Sequence, residues 1–170
     1  FDPKHPGTLI TRSYRSEKPR VEMITGRKSM AALEVWDPDM VGQVAYDYRL
    51  LEHFKKFGVS YIGKNTNANT ITHYIDSKAC DIATLCDSIN NAFPTAKVAH
   101  YPVTMVSAIG SNMNVPGFLS KAADALAKAD INILAMGQCM RQVNMQFIVS
   151  AEDFDGAIIA LHKGVVEENA

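Results

Sequence analysis

The chain has 170 residues, 17 basic against 18 acidic side chains, and a formal net charge of −1. That balance argues against a polyanion binder, and 47% hydrophobic residues exclude a disordered chain. No apolar run reaches the roughly 18–20 residues that a membrane-spanning helix needs.

The length fits one large domain or two small ones. The sequence opens at Phe1 without a methionine and without the apolar core of a signal peptide, so it reads like the interior of a longer protein. Residues 1–20 carry Pro3, Pro6, Gly7 and Pro19, which is loop or linker chemistry. Strands are expected at 21–25 and 31–37, the second bounded by Pro38. Residues 40–57 space Val44, Tyr48 and Leu51 by three and four, with Leu50 and Phe54 on the flank, predicting an amphipathic helix capped by Asp37 or Asp39 and stopped by Gly58. A strand at 59–63 and an Asn-rich turn at 64–69 follow. Ile71, His73 and Ile75 then alternate with threonine and tyrosine, the period of a half-buried strand. Residues 81–93 place Ile82, Leu85, Cys86 and Ile89 on one helix face, Pro94 ends it, and 96–100 is a strand.

The order then repeats: strand 103–109, loop 110–116, helix 117–129, strand 131–135, strand 143–149 and helix 151–162. VSYI at 59–62 aligns with INIL at 131–134, a duplication with a period of about 72 residues. Each copy reads β-α-β-β-α-β, so the expected class is α+β with two ferredoxin-like units. The second copy lacks a last strand and the first has one too many, at 21–25. The early strand is therefore expected to complete the second unit, with the first unit inserted within the second. The expected division is a leader at 1–20, a completing strand at 21–27, a first unit at 28–100 and a second at 101–170.

No nucleophile-base set, P-loop or zinc motif is present. Cys80, Cys86 and Cys139 form no CxxC and favour a reducing compartment. His5, His53, His73, His100 and His162 have no partner at zinc-ligand spacing, so no metal is expected. What remains is a short loop before the first helix of each unit, where free N–H groups and the helix dipole suit a carboxylate. Asn65, Asn67 and Asn69 are either left-handed turn residues or polar groups for a ligand.

GSNMNVPGFLSKAADALAKADINILAMGQ at 110–138, followed by QVNMQFIV at 142–149, resembles the second ACT domain of an aspartokinase. That family shows G-x-x-M-x-x-x-P-G opening the helix, although here two residues separate Met113 from Pro116. AIIALH at 157–162 fits the family's last helix, and VEMIT at 21–25 its strand entering the regulatory part. FDPKHPGTLI at 1–10 is similar to the end of an aspartokinase catalytic domain.

The resemblance implies the tandem-ACT regulatory region of a cytoplasmic aspartate kinase whose parent transfers the ATP γ-phosphoryl group, with Mg, to the aspartate β-carboxylate. This piece lacks the KFGGT-type motif, so no catalysis and no cofactor are expected from it alone. Its implied role is to bind an amino-acid effector, lysine or threonine, to pair as a homodimer through ACT units, and to bias its own kinase domain. Nucleic acid and membrane are not expected partners. Effector contacts are expected at Met40, Val41, Gly42, Gln43, Ala45, Tyr46, Tyr61, Ile62, Thr66 and Asn67. The second-unit loop contributes Asn112, Met113, Asn114, Pro116, Gly117 and Gln138. Lysine-sensitive relatives carry Gly-Phe where Ala45-Tyr46 stand, and an aspartate where Ile62 stands. Isoleucine cannot compensate a cation, which counts against lysine. The alternative is a purely structural dimerisation module of a feedback-insensitive enzyme. An acylphosphatase-like reading fails because neither 37–43 nor 110–117 holds an arginine, and an RNA-binding reading fails on the absent aromatic pattern.

Overall fold

A computed structural model describes residues 16–167. The similarity at 1–10 and most of the expected leader lie outside those residues. The elements are β1 (Arg20–Trp36), α1 (Tyr46–Lys56), β2 (Tyr61–Thr66), β3 (Thr70–Asp76), α2 (Ile82–Ala92), β4 (Lys97–Ser111), α3 (Phe118–Lys128), β5 (Ala135–Gly137), β6 (Asn144–Ser150) and α4 (Phe154–Leu161). They build one antiparallel sheet in the order β2-β3-β1-β4-β6-β5.

Two pairs of expected strands are each one long strand. β1 absorbs the breaks at 26–30 by a register slip between Arg27 and Met30, where Ser29 takes a φ of 59°. β4 runs through Pro102, the last residue before β6 occupies its second side, so a missing N–H is tolerated there. β1 and β4 pair along their whole lengths, from Arg20 with Ser111 to Trp36 with Lys97. On β1's other side β3 joins only from Met30 to Trp36, and on β4's other side β6 joins only from Val103 to Ile109. Each half of the sheet thus holds four strands in ferredoxin-like order. The amino-terminal part of β1 is the strand that the second unit needs, and the first unit is inserted within the second.

The duplication is visible in the backbone. α1 and α3 both have 11 residues and start 72 residues apart, at 46 and 118. Each is preceded by a left-handed residue, Ala45 (φ 62°) and Gly117 (φ 105°). Each is followed by another, Gly58 (φ 66°) and Asp130 (φ 57°).

The helices and strands differ from the sequence reading in defined ways. α1 begins at Tyr46 and not near residue 40, because the left-handed Ala45 interrupts the chain after a short 3₁₀ turn at Pro38–Met40. Its inward face is Tyr46, Leu50 and Phe54; Val44 and Tyr48, expected inside, are 94% and 64% exposed. Lys64–Thr66 belong to β2 rather than to the turn, and β5 spans only Ala135–Gly137. α4 ends in a π-type turn at His162–Val166.

Alternation on the strands sorts the core into three clusters. Leu33, Val35, Ile71 and Ile75 pack under α1 and α2 with Leu50, Phe54, Leu85 and Ile89. Val106, Met145, Phe147 and Val149 pack under α3 and α4 with Ala122, Leu126, Ala157 and Leu161. On the opposite sheet face, Met30, Ala32, Tyr74, Val103, Met105 and Ile148 form a third cluster. The sheet coils until its two edge strands meet, and the Asn65 side chain donates to the Met136 carbonyl at 2.8 Å. No described helix is long and apolar enough to cross a membrane.

Candidate functional site

The loop before α1 is held from beneath. Asp37 is 2% exposed and accepts from Tyr46 Oη at 2.7 Å, from the Asp39 N–H at 3.0 Å and from Thr95 Oγ1 at 3.2 Å. Burial raises the Asp37 carboxyl, yet these hydrogen bonds outweigh it and hold the group below the usual range. Burial and the facing carboxylate push the Tyr46 hydroxyl well above its ordinary value. Tyr46 and Met40 are therefore core residues, while Val41, Gly42 (φ 79°), Gln43 and Ala45 lie exposed on the loop. No side chain caps the first turn of α1, so its N–H groups have no side-chain partner there.

The β2 positions divide between the two sheet faces. Tyr61 lies on the helix side, edge-on to His73 at 5.2 Å between ring centroids. Ile62 packs instead with the cluster on the opposite face. Thr66 and Asn67 are exposed at the hairpin. The Asn-rich turn is not left-handed. None of Asn65, Asn67 and Asn69 has a positive φ. Asn65 ties β2 to β5, Asn67 Oδ1 accepts the Asn69 N–H at 3.1 Å, and Asn69 Oδ1 accepts from Thr70 Oγ1 at 3.2 Å.

The sequence reading missed a charged group between these elements. Asp47, in the first turn of α1, pairs with Lys64 of β2 at 2.6 Å. The Asp47 side chain is 37% exposed and that of Lys64 27%, so the pair stands at the surface beside the uncapped turn. The other Asp47 oxygen, Oδ1, has no hydrogen-bond partner and lies 3.7 Å from His73 Nε2. His73 itself is fully buried against Phe54, and neither ring nitrogen is hydrogen-bonded. Burial pushes its pKa down to about 4, with Asp47 opposing and Lys64 adding to the shift. A pH dependence follows. Below the ordinary histidine value the unfolded chain takes up a proton that the folded chain refuses until about pH 4. Stability is thus complete above about pH 6.5 and falls toward pH 4, at up to about 1.4 kcal/mol per pH unit. Urea midpoints at pH 7 and pH 5 will show this slope in the parent chain, and His73→Leu will flatten it.

The second unit brings its expected residues together. Met113, Asn114, Pro116, Gly117 and Gln138 line a cleft of about 340 Å3 with Gln142. A second cleft of about 560 Å3 continues from it past Asn112, Ser111 and Arg141. Met113 is buried, Asn112 has a φ of 51°, and its side-chain amide donates to the Ser16 carbonyl. Arg141 and Gln142, in the β5–β6 connection, complete these walls; Gln142 opens the QVNMQFIV motif, whereas nothing in the sequence singled out Arg141.

Comparisons with known proteins agree with this architecture. The ACT domain family matches residues 106–165. The chain is 42% identical over 167 residues to the aspartate kinase Ask_Ect of Stutzerimonas stutzeri, covering 98% of this chain and 35% of that protein. The chain thus spans about a third of the length of that relative. Among solved structures, E. coli aspartokinase III in complex with lysine and aspartate superposes with a TM-score of 0.76 at 17% identity, over 97% of this chain and 37% of that one. The regulatory subunit of aspartate kinase from Thermus flavus gives 0.76 at 13% identity, over 85% of this chain and 98% of that subunit.

Proposed function

We propose that this chain, similar to the ACT domain family over residues 106–165 and to an aspartate kinase over nearly its whole length, is a regulatory region of that kinase type that binds a small amino acid and passes that event to a kinase domain in the same protein. The parent would phosphorylate the β-carboxylate of aspartate, with ATP and Mg held by its kinase part, in the cytoplasm. The observation that carries the sensing role is the Asp47–Lys64 pair beside the uncapped start of α1. A carboxylate in the first turn of α1, an ammonium on the neighbouring strand β2 and a helix start without a side-chain cap complement a zwitterion. Asp47 Oδ2, which already takes Lys64, supplies the negative charge that Ile62 does not and would take an effector ammonium as a second partner, since Oδ1 is buried. Met40 and Tyr46 then act as supports of the loop, and Val41, Gly42, Gln43 and Ala45 as its contact surface. The lysine named with the E. coli enzyme is one ligand to test, and threonine is another. Effector binding would shift the kinase between an active and an inhibited population.

A second reading is a dimerisation module without a ligand. Val41 (62% exposed), Val44 (94%) and Tyr48 (64%) cluster in sequence at the start of α1 and favour a homodimer through the first units. The test uses the full-length protein. Aspartate-dependent ADP release is measured with and without lysine or threonine. Suppression by one of them is expected, and a rate indifferent to both, in a protein that is dimeric by light scattering, leaves only the structural role.

A further inference from the structure

The concave side of the coiled sheet carries an open cleft of about 350 Å3 whose walls come from both units. Ala32, Pro102, Val103, Leu134, Ala135 and Ile148 make most of it apolar. Two polar groups within it lack a protein partner. Glu34 is half-buried and makes no ion pair or hydrogen bond among the described residues. Tyr74 is 3% exposed, its hydroxyl makes no hydrogen bond among the described residues, and it lies near enough to Glu34 to feel its charge. The lining residues include no lysine, arginine or histidine.

A carboxylate in an apolar recess is stabilised by a cation with an apolar body, and an unpaired hydroxyl beside it accepts a hydrogen bond from the same cation. The missing basic residue also leaves nothing to receive a second, negative group. At roughly 30 Å3 per water-sized group the space holds about ten non-hydrogen atoms. We propose that this inter-unit cleft binds a small apolar molecule carrying one ammonium group and no carboxylate. Such a molecule differs from the zwitterionic effector assigned above to the start of α1, and its site is on the other face of the sheet.

Phenethylamine is a suitable probe, titrated calorimetrically into the whole chain, with L-phenylalanine as the matched zwitterion. Saturable binding of the amine is expected, with L-phenylalanine at least about tenfold weaker. Glu34→Gln should weaken the amine about tenfold or more, and Ala135→Leu should block it by filling the cleft, both with unchanged circular dichroism. Asp47→Asn should leave amine binding intact, which separates this site from the effector site. No saturable binding of the amine, equal binding by Glu34→Gln, or equal binding of the two probes would overturn the proposal. So would an amine affinity that falls with rising protein concentration, because a second copy of the chain would then be the occupant.

Discussion

Gly110→Ala will destabilise the protein by about 3 kcal/mol or more. Gly110 pairs with Val21 where β4 meets the first residues of β1, and its N–H donates to the Val143 carbonyl at 3.0 Å. A Cβ there would overlap the Arg20 carbonyl oxygen and stand 2.9 Å from Val21 Cα. Both are backbone atoms, so no side-chain rotation relieves the clash. The strand that residues 20–27 lend to the second unit must shift or detach. Overpacking costs about 1–3 kcal/mol where neighbours yield, and backbone yields least. Gly137→Ala is the control, since its nearest neighbour would be Gln146 Oε1 at 3.9 Å. Urea denaturation of the two variants should separate them by at least about 2 kcal/mol. Equal stability would mean that residues 20–27 do not occupy the edge of the second unit.

Phe147→Ala will remove the largest fully buried side chain, in the core under α3 and α4, at a cost of about 3–5 kcal/mol. The loss should be felt in the other unit. Trp36 is the chain's one tryptophan, and it lies at the far end of β1, paired with Lys97 of β4. β1 and β4 belong to both halves of the sheet, so neither half can unfold without releasing strands of the other. The Trp36 fluorescence transition is therefore expected to move with the global midpoint in Phe147→Ala. A Trp36 transition left at the parent midpoint would show two independent units.

The sequence carried the parts of this fold that depend on periodicity and count. The 72-residue repeat and the surplus strand before it were enough to place one unit inside the other, and the strand pairing follows that plan. Fused strands were not legible, because Gly26 and Pro102 signal breaks locally while long-range pairing along β1 and β4 overrides them. The start of α1 was misplaced because apolar spacing continues upstream of Tyr46, whereas the left-handed Ala45 and the buried bond from Tyr46 to Asp37 are tertiary features that spacing does not show. At the candidate site, helix-end chemistry and the family resemblance both pointed to the loops before the helices. The Asp47–Lys64 pair and the Asn65 tie were missed because each joins residues brought together only by the sheet. His73 was read correctly as part of a strand, but its burial without a hydrogen-bond partner is a property of packing.

The central claim is that a zwitterionic amino acid binds beside Asp47. Isothermal titration calorimetry of the chain with lysine, threonine and methionine tests it most directly. One of the three should give saturable heat, and Asp47→Asn should weaken that ligand about tenfold or more, since a charged hydrogen bond contributes about 1.5–3 kcal/mol. Heat from none of them, or an affinity untouched by Asp47→Asn, would contradict the account.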